Sequence, residues 1–406
     1  MSGVPVLPGE LELTRFPEDA RERLRAWDAA DEYLLRHLDD GSDRAGLLGR
    51  VVVVGDRWGA ITTSLALTGA HVTQISDSFL GQQATAANLA RNGHSLPEVV
   101  LASTAEDFGA EFGAEFGAQI GTEIGAESPA PIDVLLVRVP KSLALLEDQL
   151  WRLRPFVGPE TRIVGTGMVT EIHTSTLQAF ERFLGPTRTS LAVRKARLIF
   201  CEPDPALPRA ENPWPLTYQL PDGIGVAGGH AVVNYAGTFS ADHLDIGTRL
   251  FLQHLPSRTD AARIVDLGCG NGVVGLAAAL ANPGAALTFV DESYQALASA
   301  RATFEAAFPA GTRNAEFRAG DGMDGFEPGS VDLVLNNPPF HSHQATTDAT
   351  AWRMFIGSRA ALRRGGELWV VGNRHLGYHL KLKRLFGNCE VVGSDPKFVV
   401  LRAVRR

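Results

Sequence analysis

The sequence predicts an α/β protein made of two doubly wound, parallel-sheet domains in tandem. Three observations carry that expectation. Short, continuous β-branched runs alternate with helical stretches, the rhythm of βαβ units. The same order of elements occurs twice along the chain. And 406 residues are too many for one ordinary domain but enough for two separate cores.

Residues 21–40 (RERLRAWDAADEYLLRHLDD) place Leu24, Trp27, Ala30, Leu34 and Leu38 at three- and four-residue steps, which predicts an amphipathic helix. Residues 51–54 are four valines ending at Gly55, the pattern of a buried parallel strand. A helix over 60–67, a strand over 71–75, Asp77 and a helix over 80–92 follow. In the second copy, a strand over 263–265 leads into DLGCGNG (266–272) and a helix over 273–280. A strand over 287–290, Asp291 and a helix over 294–308 come next. IDVLLVRVPKSL (132–143) matches VDLVLNNPPFHS (331–342), and ETRIVGTG (160–167) matches GELWVVGN (366–373). An acidic residue after strand two and a proline after strand four, in both copies, point to an internal duplication.

Between the copies, CEPDPALPRAENPWPLTYQLPDG (201–223) is dense in proline. The expected boundaries are therefore 1–200, a linker over 201–225, and 226–406. The tract FGAEFGAEFGAQIGTEIGAE (108–127) repeats glycine at every fourth position. Each glycine costs a helix about 1 kcal/mol, so a mobile surface loop is expected there.

Hydrophobic residues make up 45% and charged residues 21%, the balance of a soluble globular protein. The net charge of −8 is uneven: −12 over 1–150, +5 over 151–200, −10 over 201–350 and +9 over 351–406. That excludes a uniformly basic nucleic-acid coat and leaves room for local basic faces. The three cysteines, Cys201, Cys269 and Cys389, lie in no disulfide or metal spacing, so a reducing compartment and no metal site are expected. The start of the chain has no leader pattern, and no apolar run approaches a membrane span. A cytoplasmic protein is expected.

Asp266-Leu267-Gly268-Cys269-Gly270-Asn271-Gly272 follows a buried strand and opens a helix. Glycines let the backbone turn tightly and approach a ligand, and the helix start offers free N–H groups to an anion. Asp291, ending the next strand, can accept ribose hydroxyls. Taken alone, Gly270-x-Gly272-x-x-Gly275 fits a dinucleotide fingerprint equally well.

Asn336-Asn337-Pro338-Pro339-Phe340-His341 separates the two readings. Two prolines stiffen the turn, since each ring fixes φ and removes an N–H. An exocyclic amine needs its N–H hydrogens accepted, and the Asn337 side-chain oxygen and Pro338 carbonyl are two acceptors held at fixed separation. Phe340 offers a flat face to a base taken out of its stack. Hydride transfer needs none of this.

Together these residues resemble the S-adenosylmethionine-dependent methyltransferases, in particular the amine-modifying branch with an Asn/Asp-Pro-Pro-Phe/Tyr turn. The flanks FSADHLDIGTRLFLQHLP (239–256), FVDESYQALASAR (289–301), NRHLGYHLKLKRLFGNCEVV (373–392) and KFVVLRAVR (397–405) are similar to the ribosomal RNA guanine-N2 methyltransferases, most of all those of the large subunit. LTRFP (13–17), AADEYLL (29–35), PKSLALLEDQL (140–150) and HTSTLQAFERFLGPT (173–187) extend the likeness over nearly the whole chain.

The resemblance implies two tandem Rossmann-like methyltransferase domains, the first degenerate, and S-adenosylmethionine as cofactor. It implies that the methionine end lies over Gly268 and Gly270, in a cofactor-binding loop that includes Cys269 and Gly272, with Asp266 ordering the loop. Asp291 would take the ribose and Asp321 the adenine amine, with Glu292 also at the cofactor, while Phe239, Gly247 and Thr248 brace it. Asn337, Pro338 and Phe340 would hold the guanine. Cys269 reads as a packing residue rather than a catalytic thiol, and His341 and His343 as solvated or capping side chains. In the first half, VVVVGDRWGAI (51–61) lacks the glycine run and Val139 takes the place of the asparagine, so that half is expected to bind RNA or support its neighbour.

Direct methyl transfer to the N2 amine of a guanine in 23S rRNA is the expected activity. Basic residues at the back of each copy, Arg194, Lys195 and Arg197, then Arg374, Lys381, Lys383 and Arg384, would track RNA phosphates. Arg359, Arg363, Arg364, Arg402, Arg405 and Arg406 belong to the same basic tail. The alternatives are 16S rRNA as substrate, methylation of protein glutamine amides, and a non-catalytic ribosome-assembly factor. A nicotinamide dehydrogenase is the remote one.

Overall fold

The computed structural model describes residues 7–19, 22–39, 49–94, 99–106, 132–258, 262–309, 312–339 and 344–406. The chain forms two compact units, Met1–Pro213 and Trp214–Arg406. The glycine tract and residues Phe340, His341 and His343 lie outside the described residues.

In the first unit the elements are α1 (Ala29–Asp39), β1 (Arg50–Val54), α2 (Ala60–Ala66), β2 (His71–Ser76), α3 (Phe79–Arg91), β3 (Val99–Ser103) and β4 (Ile132–Arg138). They continue with α4 (Leu143–Leu153), β5 (Val157–Met168), α5 (Thr174–Phe183), β6 (Thr187–Thr189) and β7 (Ala196–Cys201). The sheet order is β3-β2-β1-β4-β5-β7-β6, parallel except for the pairings of β7. Val51 to Val54 are fully buried because helices cover both faces of the sheet.

Helix α1 begins eight residues later than position 21, and the cause is a cap. Asp28 Oδ1 accepts the Ala30 and Asp31 N–H groups at 2.8 and 3.4 Å, and Asp31 Oδ2 accepts the Asp28 N–H at 2.9 Å. This reciprocal pair satisfies the free donors of the first turn, so the helix starts there. Leu24, outside it, is exposed.

The second unit begins with a two-stranded antiparallel ribbon, β8 (Leu216–Gln219) and β9 (Ala231–Asn234). It continues through α6 (Ile246–Leu252), β10 (Arg263–Leu267), α7 (Val273–Ala281), β11 (Ala286–Asp291), α8 (Tyr294–Ala307), β12 (Ala315–Ala319) and β13 (Val331–Asn336). It ends with α9 (Gln344–Ala361), β14 (Leu362–Asn373), α10 (Tyr378–Phe386), β15 (Glu390–Ser394) and β16 (Phe398–Val404). Its sheet order, β12-β11-β10-β13-β14-β16-β15, repeats that of the first strand for strand. The duplication read from sequence is thus a duplication of topology. The proline-rich segment is shared out: Trp151 Nε1 donates to Ala210 O, and Asn212 Nδ2 to Asp148, in the first unit. Residues 216–219 are already a strand of the second.

Strand order reverses between β10 and β13. In an open α/β sheet the crevice at that reversal, beyond the carboxyl ends of the strands, is where ligands bind. Both motifs singled out in the second copy start there.

Candidate functional site

The glycine loop leaves β10 and enters α7 through three left-handed residues, Gly268, Gly270 and Gly272. Two of these glycines serve different ends. A Cβ at Gly272 would stand 2.8 Å from Ala300 Cα, so this glycine lets the loop close on α8. A Cβ at Gly270 would meet nothing within 4 Å, so the loop presents bare backbone to open space. Asn271 ties the loop to the ribbon, donating to Asn234 Oδ1 at 2.9 Å.

Two carboxyls shape the loop. Asp266 Oδ2 accepts the Gly275 N–H at 2.7 Å, and burial, assisted by the charge of Asp291, pushes its pKa up to about 8. Asp291 Oδ2 accepts the Gly270 N–H at 2.9 Å and its Oδ1 accepts the Ser293 N–H at 3.0 Å. Burial raises its pKa too. The Cys269 thiol is buried, and burial with the nearby Asp291 and Asp266 charges holds it well above the usual thiol range. It stays protonated, as a packing residue should.

Asp321, past the end of β12, pairs with Arg353 of α9 at 3.1 Å, a partner that sequence reasoning missed. Glu292 is exposed, as is Phe239 ahead of α6. Gly247 lies against the Phe398 ring, where a Cβ would stand 2.9 Å from Cε1. Close packing accounts for this glycine.

Across the crevice, Asn336 is fully buried at the end of β13 and donates to Leu267 O at 2.7 Å, fastening the two strand ends together. Asn337 follows, with Pro338 buried behind it. Asn337 Nδ2 donates to Thr248 Oγ1 at 3.1 Å. Its Oδ1 is buried and has no hydrogen-bond partner among the described residues. An unpaired buried acceptor costs about 1–3 kcal/mol, and such an atom in a crevice is an acceptor held ready for a donor.

The first unit shows what happens when this site is given up. The pairings of Val54 with Val137 and of Leu267 with Asn336 put Arg138, not Val139, at the position of Asn337. Val139 matches the first proline. By the same register Arg57 stands for Gly270, Ser76 for Asp291 and Ala105 for Asp321. The acidic residue after strand two, Asp77, therefore matches Glu292. Arg138 is fully buried and bonds Asp28 at 2.7 Å, Asp31 at 3.2 Å and Glu171 at 2.8 Å. Arg57 pairs with Asp28 and Glu171 as well. A five-membered ionic cluster fills the crevice that the second unit keeps open.

The basic residues divide into two groups. Arg194 and Lys195 form the left-handed tip of the β6–β7 hairpin, with Arg194 exposed and 3.2 Å from Glu32. Arg374 starts at the carboxyl end of β14, on the edge that carries Asn337, and its guanidinium donates to Asp395 O. Lys383 and Arg384 are exposed on α10, and Lys381 lies over the Tyr378 ring. Three other arginines of the tail are engaged within the fold. Arg363 pairs with Asp332, Arg402 with Glu367 and Glu390 at 2.6 and 3.0 Å, and Arg405 donates to the Ala360 and Leu362 carbonyls. These arginines join strands and helix ends of the second unit. Among the described residues no cluster of side chains could hold a metal ion, and no helix is long and apolar enough to cross a membrane.

The family described as Methyltransferase small domain matches residues 229–402, and the RLMG N-terminal domain matches residues 1–114 and 119–205. A protein of Streptomyces griseus named ribosomal RNA large subunit methyltransferase G is 62% identical over 400 residues, covering 98% of both chains. One of the same name from Pseudomonas aeruginosa is 47% identical over 394 residues, 97% of each. The fold matches a T. thermophilus 16S rRNA N2 methyltransferase, RsmC, solved in complex with AdoMet and guanosine. That likeness has a TM-score of 0.71 at 18% identity and covers 98% of this chain and 95% of that one.

Proposed function

The chain belongs to the ribosomal RNA large subunit methyltransferase G family, and on that premise we propose that it methylates the exocyclic N2 amine of a guanine in 23S rRNA. The observation that carries the reading is the free Asn337 Oδ1, an acceptor with its amide fixed at the other end, one residue ahead of two prolines.

The residues of the second unit fit S-adenosylmethionine. The open face over Gly270 admits a ligand against the backbone, and Asp291 has oxygen lone pairs left for ribose hydroxyls. Gly268, Cys269 and Gly272 complete the loop, Asp266 holds its shape, and Glu292, Asp321, Phe239 and Gly247 flank it. Bound, the cofactor supplies a methyl group on a positively charged sulfur, which a neutral nitrogen can displace.

The protein's share is positioning. Asn337 Oδ1 and the Pro338 carbonyl accept the two N–H hydrogens of the amine, which draws its lone pair out of conjugation with the ring. Phe340 stacks on the extruded base. Two acceptors on a stiff turn hold the nitrogen in line, and such fixed alignment accounts for much of the barrier lowering. The leaving proton needs no dedicated base. Arg194, Lys195 and Arg197 of the first unit and Arg374, Lys383 and Arg384 of the second bind RNA phosphates, while Lys381, expected among them, has its Nζ buried over the Tyr378 ring.

The test incubates purified protein and labelled S-adenosylmethionine with 23S rRNA, 16S rRNA, intact subunits and release-factor protein separately. Label in N2-methylguanosine of 23S rRNA, lost in Asn337→Ala, is expected. Label in 16S rRNA or in protein overturns the substrate assignment.

A further inference from the structure

An acceptor is useful only if it stays an acceptor. The Asn337 side chain has an oxygen and an NH2 group of similar size, and a half-turn would present donors to the incoming amine. We infer that Thr248 is a positioning residue that fixes this amide, rather than a cofactor contact, and that Asp245 sets Thr248. The inference rests on the reading that Asn337 accepts the guanine amine.

Three hydrogen bonds carry it. Asp245 caps α6, its Oδ2 accepting the Thr248 N–H at 2.9 Å. The same oxygen accepts the Thr248 hydroxyl proton at 3.3 Å. A carboxylate is the stronger acceptor for that proton, so Oγ1 is left with lone pairs only. Toward Asn337 the hydroxyl can then only accept, which draws Nδ2 to 3.1 Å and turns Oδ1 into the crevice. Thr248 is buried, so water does not compete freely for the role.

The first unit supplies an independent observation. Asp28 and Asp31 stand at the cap and third helical positions of α1, as Asp245 and Thr248 do in α6. Asp31 bonds Arg138, the counterpart of Asn337, at 3.2 Å. In both copies, therefore, the third residue of this helix orients the residue at the carboxyl end of strand four. In the second it holds an amide through a neutral hydroxyl, which leaves that residue's oxygen uncharged and unclaimed.

The test compares full-length wild type, Thr248→Val, which keeps the shape without the hydroxyl, and Thr248→Ser, which keeps the hydroxyl. Single-turnover methyl transfer to 23S rRNA, S-adenosylmethionine affinity by calorimetry and melting temperature are read for each. Thr248→Val is expected to slow transfer about a hundredfold with cofactor affinity unchanged, and Thr248→Ser to recover most of the rate. An unchanged rate in Thr248→Val overturns the inference, as does a loss of cofactor affinity that matches the loss of rate. Wild type that leaves 23S rRNA unmethylated overturns the functional reading and this inference with it.

Discussion

Arg138 stands in the first unit where Asn337 stands in the second, and each reaches the third residue of the helix that leads into the first strand of its seven-stranded sheet, at 3.2 and 3.1 Å. One position thus became the hub of an ionic cluster in one copy and a neutral acceptor in the other. The cluster is self-consistent: Arg138 and Arg57 hold Glu171 down to about 2, while burial pushes Asp31 up to about 7. Removing the hub strands buried carboxylates, which costs about 3–5 kcal/mol. Arg138→Met is therefore expected to lower the unfolding free energy of the full chain by about that amount, measured in urea. A loss under about 1 kcal/mol would show that the cluster is solvated after all.

Gly270 and Gly272, two residues apart, separate in their consequences. Gly270→Ala adds a methyl into open space at φ +52, a strain of about 1–2 kcal/mol with no clash. The fold should hold, the melting temperature falling by a few degrees, while S-adenosylmethionine affinity drops about tenfold. Gly272→Ala drives its Cβ into the α8 backbone and should cost about 3 kcal/mol of stability. Equal destabilisation by the two changes would remove the distinction between cradle and packing glycine.

Much of this was legible in the sequence, for identifiable reasons. Parallel strands covered on both faces must be continuously apolar, so 51–54 and 331–335 declared themselves, and glycines before a helix mark a turn whatever surrounds them. Correspondence between the copies was harder. Giving Val139 the place of Asn337 aligns Pro140 with Pro338, whereas ladder register, in agreement with the match of 132–143 to 331–342, gives that place to Arg138. The pair 160–167 and 366–373 is likewise off by one residue: Val164 and Trp369 oppose Leu136 and Leu335, so 160 matches 365. A one-residue slip flips every side chain, and composition does not reveal it. The Asp245-x-x-Thr248 cap was in plain view, but that its hydroxyl reaches Asn337, 89 residues on, is a tertiary fact. Part of the +9 charge of the last segment is neutralised within the fold, which composition does not reveal, because Arg363 and Arg402 are paired with carboxylates from other strands.

Asp266 gives the second unit a pH dependence of definite sign. Its carboxyl, raised by burial from 3.8 to about 8, keeps its proton in the folded state over a range where the unfolded chain has lost it. The folded state then binds more protons, so the contribution of Asp266 to stability is full below about 4 and is lost as pH rises through about 8. Asp266→Asn retains an oxygen for the Gly275 N–H and cannot ionise. Its stability is expected to decline less than that of wild type between pH 5 and pH 8, by thermal melts across the range. Parallel curves for the two proteins would mean that Asp266 is ionised throughout.

The two groups of arginines and lysines predict two different failures. Lys383 and Arg384 are exposed on α10, so Lys383→Glu with Arg384→Glu should leave melting unchanged and weaken 23S rRNA binding. The slope of log affinity against log salt should fall by about one unit for each phosphate no longer neutralised. Arg402→Glu instead places a third acidic group beside Glu367 and Glu390, and should lower the melting temperature while the salt slope of the folded protein stays put. Titrations at several salt concentrations, paired with melts, separate the cases. Undiminished binding by the α10 double variant would move the RNA path off that helix and leave Arg374, at the catalytic edge of the sheet, as its nearest anchor.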